Sequence, residues 1–346
     1  MKTLHANAAR KLLKPVLLAL LALQLGACAL GAHLKTDEMQ RIAGSTYVVT
    51  GASSGIGRGT ALRLGALGAN VVLAARRTDM LDEVAGEIRR AGGKALVVTT
   101  DVSRPEEMEK LAQATVSHFG KIDVWINNAG VGAIGPFEDI PLQDHARVID
   151  VNLKGVIYGS HVALRQFRSQ GRGTLINIGS IESEVPLAYH ASYAASKAGV
   201  LALGRALNEE IRLAGLGESV AVATVLPWAI DTPFFNHAAN YSGGTLRTIA
   251  PDDPKKVVNA IVWVSLYPYE EVAVGWKASG AYAAHRIAPD ISETVAGSLS
   301  HKVQMQDAPP AAPTSGNLHQ PVYGSGLVEG GIRERMRKED RLQPDR

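Results

Sequence analysis

The run Ser45-Thr46-Tyr47-Val48-Val49-Thr50-Gly51-Ala52-Ser53-Ser54-Gly55-Ile56-Gly57 decides how the rest of this chain reads. Its β-branched and aromatic residues predict a strand over 45–50. The residues after the turn predict a helix running to about Leu67 and stopped by Gly68. Between them, glycines at 51, 55 and 57 let the backbone turn tightly, let a pyrophosphate approach, and let the helix pack on the sheet. Ser53, Ser54 and Ile56 lie at the opening of that helix, whose free N–H groups and partial positive charge suit a phosphate. The spacing is Gly-x-x-x-Gly-x-Gly, not the commoner Gly-x-Gly-x-x-Gly. A glycine-rich turn alone is weak evidence; the strand-to-helix setting is what points to a dinucleotide.

Working outward, short β-branched runs alternate with amphipathic helical stretches from residue 42 onward, which predicts an α/β fold with a doubly wound parallel sheet. A second strand over 70–75 ends in Arg76-Arg77, where an NAD site would carry a carboxylate for the ribose hydroxyl. An arginine there can pair with a 2′-phosphate instead, which favours NADP and leaves NAD as the alternative. The bland reading is a solvated helix entry. A third strand over 95–102 delivers Asp101 and Val102 to the edge where such sheets bind ligands, followed by a capping box at 103–106. A fourth, over 122–127, leads into Asn128-Ala129-Gly130, which suits a loop that must hydrogen-bond and admit a flat ring, or is simply a turn.

A long helical stretch over 141–168 carries Asn152 in its middle, a poor helix former that needs a reason. Strand five, over 174–178, delivers Ser180. The helix after residue 191 then carries Tyr193 and Lys197, four apart and so on one face, roughly 6 Å apart along the axis. A phenol titrates near pH ~10, and a fixed ammonium close by favours its ionised form. An isolated Tyr-x-x-x-Lys is nonetheless more often structural than functional. Strand six, over 220–226, ends in Pro227-Trp228-Ala229-Ile230-Asp231-Thr232-Pro233, and the irregular stretch beyond it holds Phe234, Phe235, His237 and Tyr241. These aromatics suggest an apolar lid over a ligand crevice. His237 is a weaker candidate base, since a lone loop histidine more often has no such role. A helix over 256–265 and a short strand over 271–275 close the domain.

Composition narrows the partners. Of 346 residues, 36 are Lys or Arg and 33 Asp or Glu, a net charge of +3, so no basic field points to nucleic acid. The single cysteine, Cys28, rules out an internal disulfide framework and a cysteine zinc cluster. Residues 1–33 place Lys2, Arg10, Lys11 and Lys14 before an apolar run, the arrangement of a secretory signal, and end in Leu25-Gly26-Ala27-Cys28, which is lipobox-like. Signal, lipoprotein and membrane anchor are thus the readings, with a cytoplasmic protein started at Met39 as the alternative. An extracytoplasmic site would conflict with cofactor supply. Residues 307–331 are rich in Pro, Ala and Gly, which predicts a surface-hugging or flexible tail, and 333–341 predict a short charged helix.

With the glycine turn 50–57, Asn127-Asn128-Ala129-Gly130, Asn152, Ser180 thirteen before Tyr193, and Tyr193-x-x-x-Lys197 in this order, the chain resembles the short-chain dehydrogenase/reductase family over about 46–275. The resemblance implies a single Rossmann-type domain over 40–275 with about seven strands, and a C-terminal extension over 276–346 of no assigned role. It also implies a catalytic set of Asn152, Ser180, Tyr193 and Lys197: Tyr193 exchanges the proton, Ser180 binds the substrate oxygen, Lys197 holds the nicotinamide ribose, and Asn152 positions a water. Asp101 and Val102 would contact the adenine, Gly51 to Gly57 the pyrophosphate, and Thr232 the carboxamide. The implied activity is interconversion of a secondary alcohol and a carbonyl, on a lipophilic small molecule, in a homodimer or homotetramer. A dinucleotide-binding sensor or scaffold without turnover is the alternative. One departure stands out: Trp228 follows Pro227 where the family usually has glycine, which sets a bulky ring beside the cofactor.

Overall fold

Residues 34–322 and 326–342 are described by the computed structural model of the chain. The signal-like or lipobox-like segment 1–33 lies outside them. Among the described residues, seven parallel strands form the central sheet: β1 Thr46–Thr50, β2 Asn70–Ala75, β3 Lys94–Thr99, β4 Val124–Asn127, β5 Gly173–Ile178, β6 Val220–Pro227 and β7 Glu271–Val274. Their spatial order is β3-β2-β1-β4-β5-β6-β7. The order reverses at β1, so the loops leaving β1 and β4 diverge and open a crevice at the carboxyl edge of the sheet. Both expected features, the doubly wound topology and the strand number, are present.

The sheet is dry on both faces. Tyr47, Val49, Val71 and Leu73 point to one side, where helices Gly55–Ala66, Thr78–Arg90 and Pro254–Leu266 cover them with Leu64, Leu81, Ile88 and Ile261. Val48, Val72 and Trp125 point to the other, under Pro105–Phe119, Gly155–Gln170 and Ala191–Leu213, which contribute Met108, Leu111, Phe167 and Ile211. Each such aliphatic side chain taken out of water contributes roughly 1.5–3 kcal/mol, which is why strands enclosed this way read as unbroken apolar runs.

Several boundaries differ from the sequence expectation. The long helix over 141–168 is two helices, Leu142–Ile149 and Gly155–Gln170, joined by a π-turn at Asp150–Lys154 that contains Asn152. Its carboxamide bonds to the neighbouring Val131 backbone rather than competing with its own helix, which answers why an asparagine is tolerated there. The third strand stops at Thr99, so Asp101 and Val102 lie in the loop beyond it. The chain after residue 275 is largely helical at first, with Gly275–Ile287 and Pro289–Ser300. In the second of these, Pro289 starts the helix and Ile291, Val295 and Leu299 form an i, i+4, i+8 stripe. Residues 307–322 then return across the face of the domain, and the charged helix Ile332–Leu342 packs beside it, with Glu339 paired to the buried Arg247. No helix among the described residues is long and apolar enough to cross a membrane.

Candidate active site

The crevice begins at the glycine turn. Gly51 takes a left-handed φ of 68°, and a Cβ on Gly57 would collide with the Gly51 carbonyl oxygen, so the helix meets the strand end with no room for a side chain. Thr50 ties this turn to the neighbouring strand end: its Oγ1 accepts from the Asn128 and Ala129 amides at 2.9 and 3.1 Å, and its carbonyl accepts from Asn128 Nδ2 at 2.8 Å. Asn128 and Ala129 thereby become part of the same rigid rim as Gly51, and Gly130 leads from it toward Asn152 and Lys197.

A single cavity of about 580 Å³ runs from this rim in both directions. Toward one end it passes Ser53, Ser54, Ile56, Arg76, Asp101 and Val102, toward the other Ser180, Tyr193, Lys197 and Thr232. All the site residues expected from the sequence therefore line it or buttress it, Gly55 and Gly57 from within the helix start and Asn152 from behind Gly130. The residues fit a dinucleotide. The glycine cradle leaves space against a helix N-terminus, and two arginines stand at the far end where an adenosine ribose would lie.

At that end Arg77 Nη2 donates to both Ser53 Oγ and Ser54 Oγ at 3.0 Å, which sets a guanidinium and two hydroxyls around one point. Arg76 is placed differently. Its Nη2 donates to Asn317 O at 2.6 Å and its Nη1 to Leu318 O at 3.2 Å, so the C-terminal tail occupies the donors that a 2′-phosphate would use. Asp101 accepts from Ser103 and from Arg147 Nη2 at 2.8 Å. Burial works against its charge, yet these hydrogen bonds outweigh burial and hold the carboxyl below the usual carboxylate range.

At the other end, Tyr193 and Lys197 lie one turn apart on the Ala191–Leu213 helix, the ammonium 5.7 Å from the centre of the phenol ring. Lys197 Nζ donates to the Ile178 carbonyl oxygen at 2.7 Å. Burial pushes the lysine down to about 8, partly offset by Glu182. Burial and then the Glu182 carboxylate push the Tyr193 phenol well above its ordinary value, with nearby Ser180 opposing them. This is the opposite sense to the one expected from Lys197 alone, because burial of the phenol disfavours its charged form and the Glu182 carboxylate adds to that. Ser180 Oγ accepts the Glu182 amide at 3.1 Å, which leaves its own hydrogen to donate into the cavity. Asn152 Oδ1 accepts from Val131 N at 2.8 Å and its Nδ2 donates to Ser196 Oγ at 3.1 Å, which fixes the side chain behind the lysine.

The aromatic segment after β6 behaves as a lid in part. Phe234 lies 5.7 Å from the Tyr193 ring, and Phe235 packs edge-on against Phe234. Tyr241 is turned away from the cavity, its hydroxyl bonded to Asp144. His237 lines the cavity wall, where burial and then nearby Arg77 hold its pKa below the ordinary value, while its backbone carbonyl accepts from Asn317 N at 2.7 Å. The Trp228 indole donates to Ile249 O at 2.8 Å and packs with Ile181, Val185 and Ala281, so it walls the substrate end. Sequence reasoning missed Glu182, His190, the apolar stripe of Pro289–Ser300 and the tail wall Asn317, Pro321 and Val322. The stripe was legible as i, i+4 spacing; the tail wall had no local signal.

A parallel sheet with a phosphate-type turn at its switch point, leading to a buried Ser and Lys and a half-buried Tyr, defines a nucleotide-binding oxidoreductase of Rossmann type. The chain belongs to the short chain dehydrogenase family, whose model matches residues 45–241. It is 29% identical over 308 residues to the uncharacterized oxidoreductase YxnA of Bacillus subtilis, covering 86% of this chain and 85% of that one, a likeness longer than the 40–275 domain. It is 39% identical over 192 residues to 3beta-hydroxysteroid dehydrogenase 1 of Eggerthella lenta, covering 55% of this chain and 72% of that one. An alcohol dehydrogenase from Thermococcus sibiricus, solved with 5-hydroxy-NADP, is 27% identical with a TM-score of 0.56 over 65% of this chain and 92% of its own. A short-chain type dehydrogenase/reductase from Mycobacterium marinum is 29% identical with a TM-score of 0.59, over 66% and 93%. The chain is thus an NAD(P)-binding short-chain oxidoreductase.

Proposed function

We propose that the 40–275 domain interconverts a secondary alcohol and a ketone with NADP, Tyr193 acting as general acid in reduction and general base in oxidation. The observation that carries this reading is the shared cavity: Ser180, Tyr193 and Lys197 open into the same space as the glycine turn. A nicotinamide held there supplies or accepts the hydride. Gly51, Ser53, Ser54 and the Ile56 amide would hold the pyrophosphate, Asn128 to Gly130 and Thr232 the nicotinamide side, and Asp101 and Val102 the adenine. The Arg77 guanidinium, with Ser53 and Ser54 beside it, supports NADP over NAD.

Within the site, Ser180 donates its hydroxyl hydrogen to the substrate oxygen, and Tyr193 passes its phenolic proton to that oxygen as negative charge develops. A phenol held protonated by its surroundings is poised for the reductive direction. Lys197 stabilises the phenolate left behind, and its ammonium is fixed by Ile178 rather than free to swing. Asn152 holds the backbone around Val131 at the rear of the lysine, where a relay water would sit. The apolar walls, Phe234, Trp228, Val185 and Ile291 among them, favour a lipophilic substrate. The Eggerthella relative's name is that of a steroid dehydrogenase, which accords with that class.

Membrane association through residues 1–33, with Cys28 carrying lipid, belongs to the same proposal, as does assembly into a homodimer or homotetramer. Fractionation of the tagged full chain tests the former; recovery of wholly soluble, uncleaved protein removes it in favour of the cytoplasmic alternative. The activity itself is tested with NADPH and a series of apolar ketones, following loss of the reduced nicotinamide absorbance. A Tyr193→Phe variant is expected to lose roughly 10²–10⁴-fold in turnover. Equal rates in the two proteins would overturn the reading.

A further inference from the structure

Beyond Ser180, Tyr193 and Lys197, the substrate end of the cavity is largely apolar and holds one acid–imidazole pair. Among Ile181, Val185, Leu187 and Ala284 stand Glu182 and His190, with His190 Nδ1 3.1 Å from both carboxylate oxygens. The pair is buried, with side chains only 9% and 11% exposed, and the imidazole meets the Tyr193 ring edge-on at 6.4 Å. The carboxylate uses Nδ1, while Nε2 bonds to none of the described residues on a ring that lines the cavity. A buried carboxylate and imidazole cost several kcal/mol in desolvation, which their mutual pairing offsets in part and which a wholly apolar ligand over Nε2 would not offset further. We propose that Glu182 and His190 form a second polar recognition point, which takes an oxygen of the substrate next to the reacting carbon. The favoured substrates are then lipophilic ketones bearing a neighbouring hydroxyl or second carbonyl. This rests on the reading of Tyr193 as the proton donor. Glu182 orients the imidazole through Nδ1 and leaves Nε2 facing the substrate; no proton need be transferred.

The test compares kcat/KM for two ketones of matched size, one with a hydroxyl on the adjacent carbon and one without, in the wild type, His190→Phe, His190→Gln and Glu182→Gln. The wild type is expected to favour the hydroxyketone by at least about tenfold. That ratio should collapse toward one in His190→Phe and Glu182→Gln and survive in part in His190→Gln. Each ratio is taken within one protein, so loss of folded material does not mimic the effect. A ratio unchanged in His190→Phe, or a wild type that favours the plain ketone, overturns the proposal. Failure of the underlying reading shows separately, as turnover of neither ketone or turnover indifferent to Tyr193.

A second inference rests on other atoms. Residues 314–322 lie across the adenosine end of the cavity. The segment is tied at its start by the Asn240–Thr314 backbone pair, at 2.8 and 2.9 Å, and at Asn317 by its amide to His237 O. Between these ties and Val322, Arg76 and Arg77 bind the carbonyl oxygens of Asn317, Leu318 and Val322, Arg147 Nε donates to Leu318 O at 2.9 Å, and His319 pairs with Asp144 at 2.7 Å. We infer that this segment is a strap that retains the dinucleotide, so that the cofactor exchanges only when the strap lifts. Hydrogen exchange on the full chain, with and without NADPH, should show slower exchange over 314–322 when the cofactor is bound. His319→Ala and Thr314→Pro, which loosen the strap, should speed NADPH dissociation at least about tenfold in stopped flow. Unchanged exchange in the segment, or unchanged dissociation in both variants, overturns it.

Discussion

Lys197 Nζ donates to the carbonyl oxygen of Ile178 at 2.7 Å, so the last residue of β5 holds the ammonium of the neighbouring helix. Burial holds this lysine at about 8, against an ordinary value of 10.5. The charge is therefore present at neutral pH and is lost as pH rises through about 8. Ketone reduction should accordingly fall on the alkaline side near pH 8, well before the phenol itself titrates. A pH–kcat/KM profile checks this. In Lys197→Met the limb near pH 8 should vanish together with most of the activity, by roughly 10²-fold or more.

Gly57 has no space for a side chain, since its Cβ would meet Gly51 O and Asn128 Nδ2. Gly57→Ala is expected to push the helix start away from the rim and weaken NADPH binding by at least about tenfold, at a stability cost of roughly 1–3 kcal/mol. Fluorescence titration of NADPH and urea denaturation read the two effects.

Arg77 and Arg76 should differ in effect although they are adjacent. Arg77 Nη2 bonds to Ser53 and Ser54 and its Nη1 to Val322 O of the tail, whereas both terminal nitrogens of Arg76 bond to tail carbonyls. Arg77→Ala should lower the preference for NADPH over NADH by roughly ten- to a hundredfold, the worth of charge-assisted hydrogen bonds to a phosphate. Arg76→Ala should change it less. Steady-state kinetics with both cofactors decide; equal losses would place the phosphate on both arginines.

Asp231 is buried and accepts from Ile332 N at 2.8 Å and Arg333 Nε at 2.7 Å, which anchors the final helix to the loop after β6. Burial opposes its charge, but these partners hold its pKa below the ordinary carboxylate value. Its contribution to stability is thus present above pH ~4, the unfolded value, and lost as pH falls through the lower folded value. Asp231→Asn should cost roughly 1–3 kcal/mol at neutral pH, and the gap to wild type should close in acid. Denaturation at a series of pH values measures it.

Much of the site was readable because the family's chemistry is local. The glycine turn and the Tyr193/Lys197 pair each lie within one turn or one helix face, so spacing alone brings their atoms together. Asn152 was marked as anomalous by propensity, and the π-turn with its Val131 contacts supplies the reason. Tyr241 shows the limit of such reading: its position after β6 suggested the lid, but Asp144, 97 residues earlier, draws its hydroxyl out of the cavity.

What the sequence by itself determined is the order of strands and helices, the phosphate-type turn, and which side chains stand at strand ends. Those follow from periodicity and backbone sterics within short windows. Only the tertiary structure decided the electrostatic balance and the walls of the cavity. Burial and then Glu182 raise the phenol that Lys197 alone would lower, His190 faces the substrate space, and residues 317–322 take donors of Arg76 and Arg77. Burial sets the first two and hydrogen bonds across more than two hundred positions set the third, and neither has a signature in the spacing of a short window.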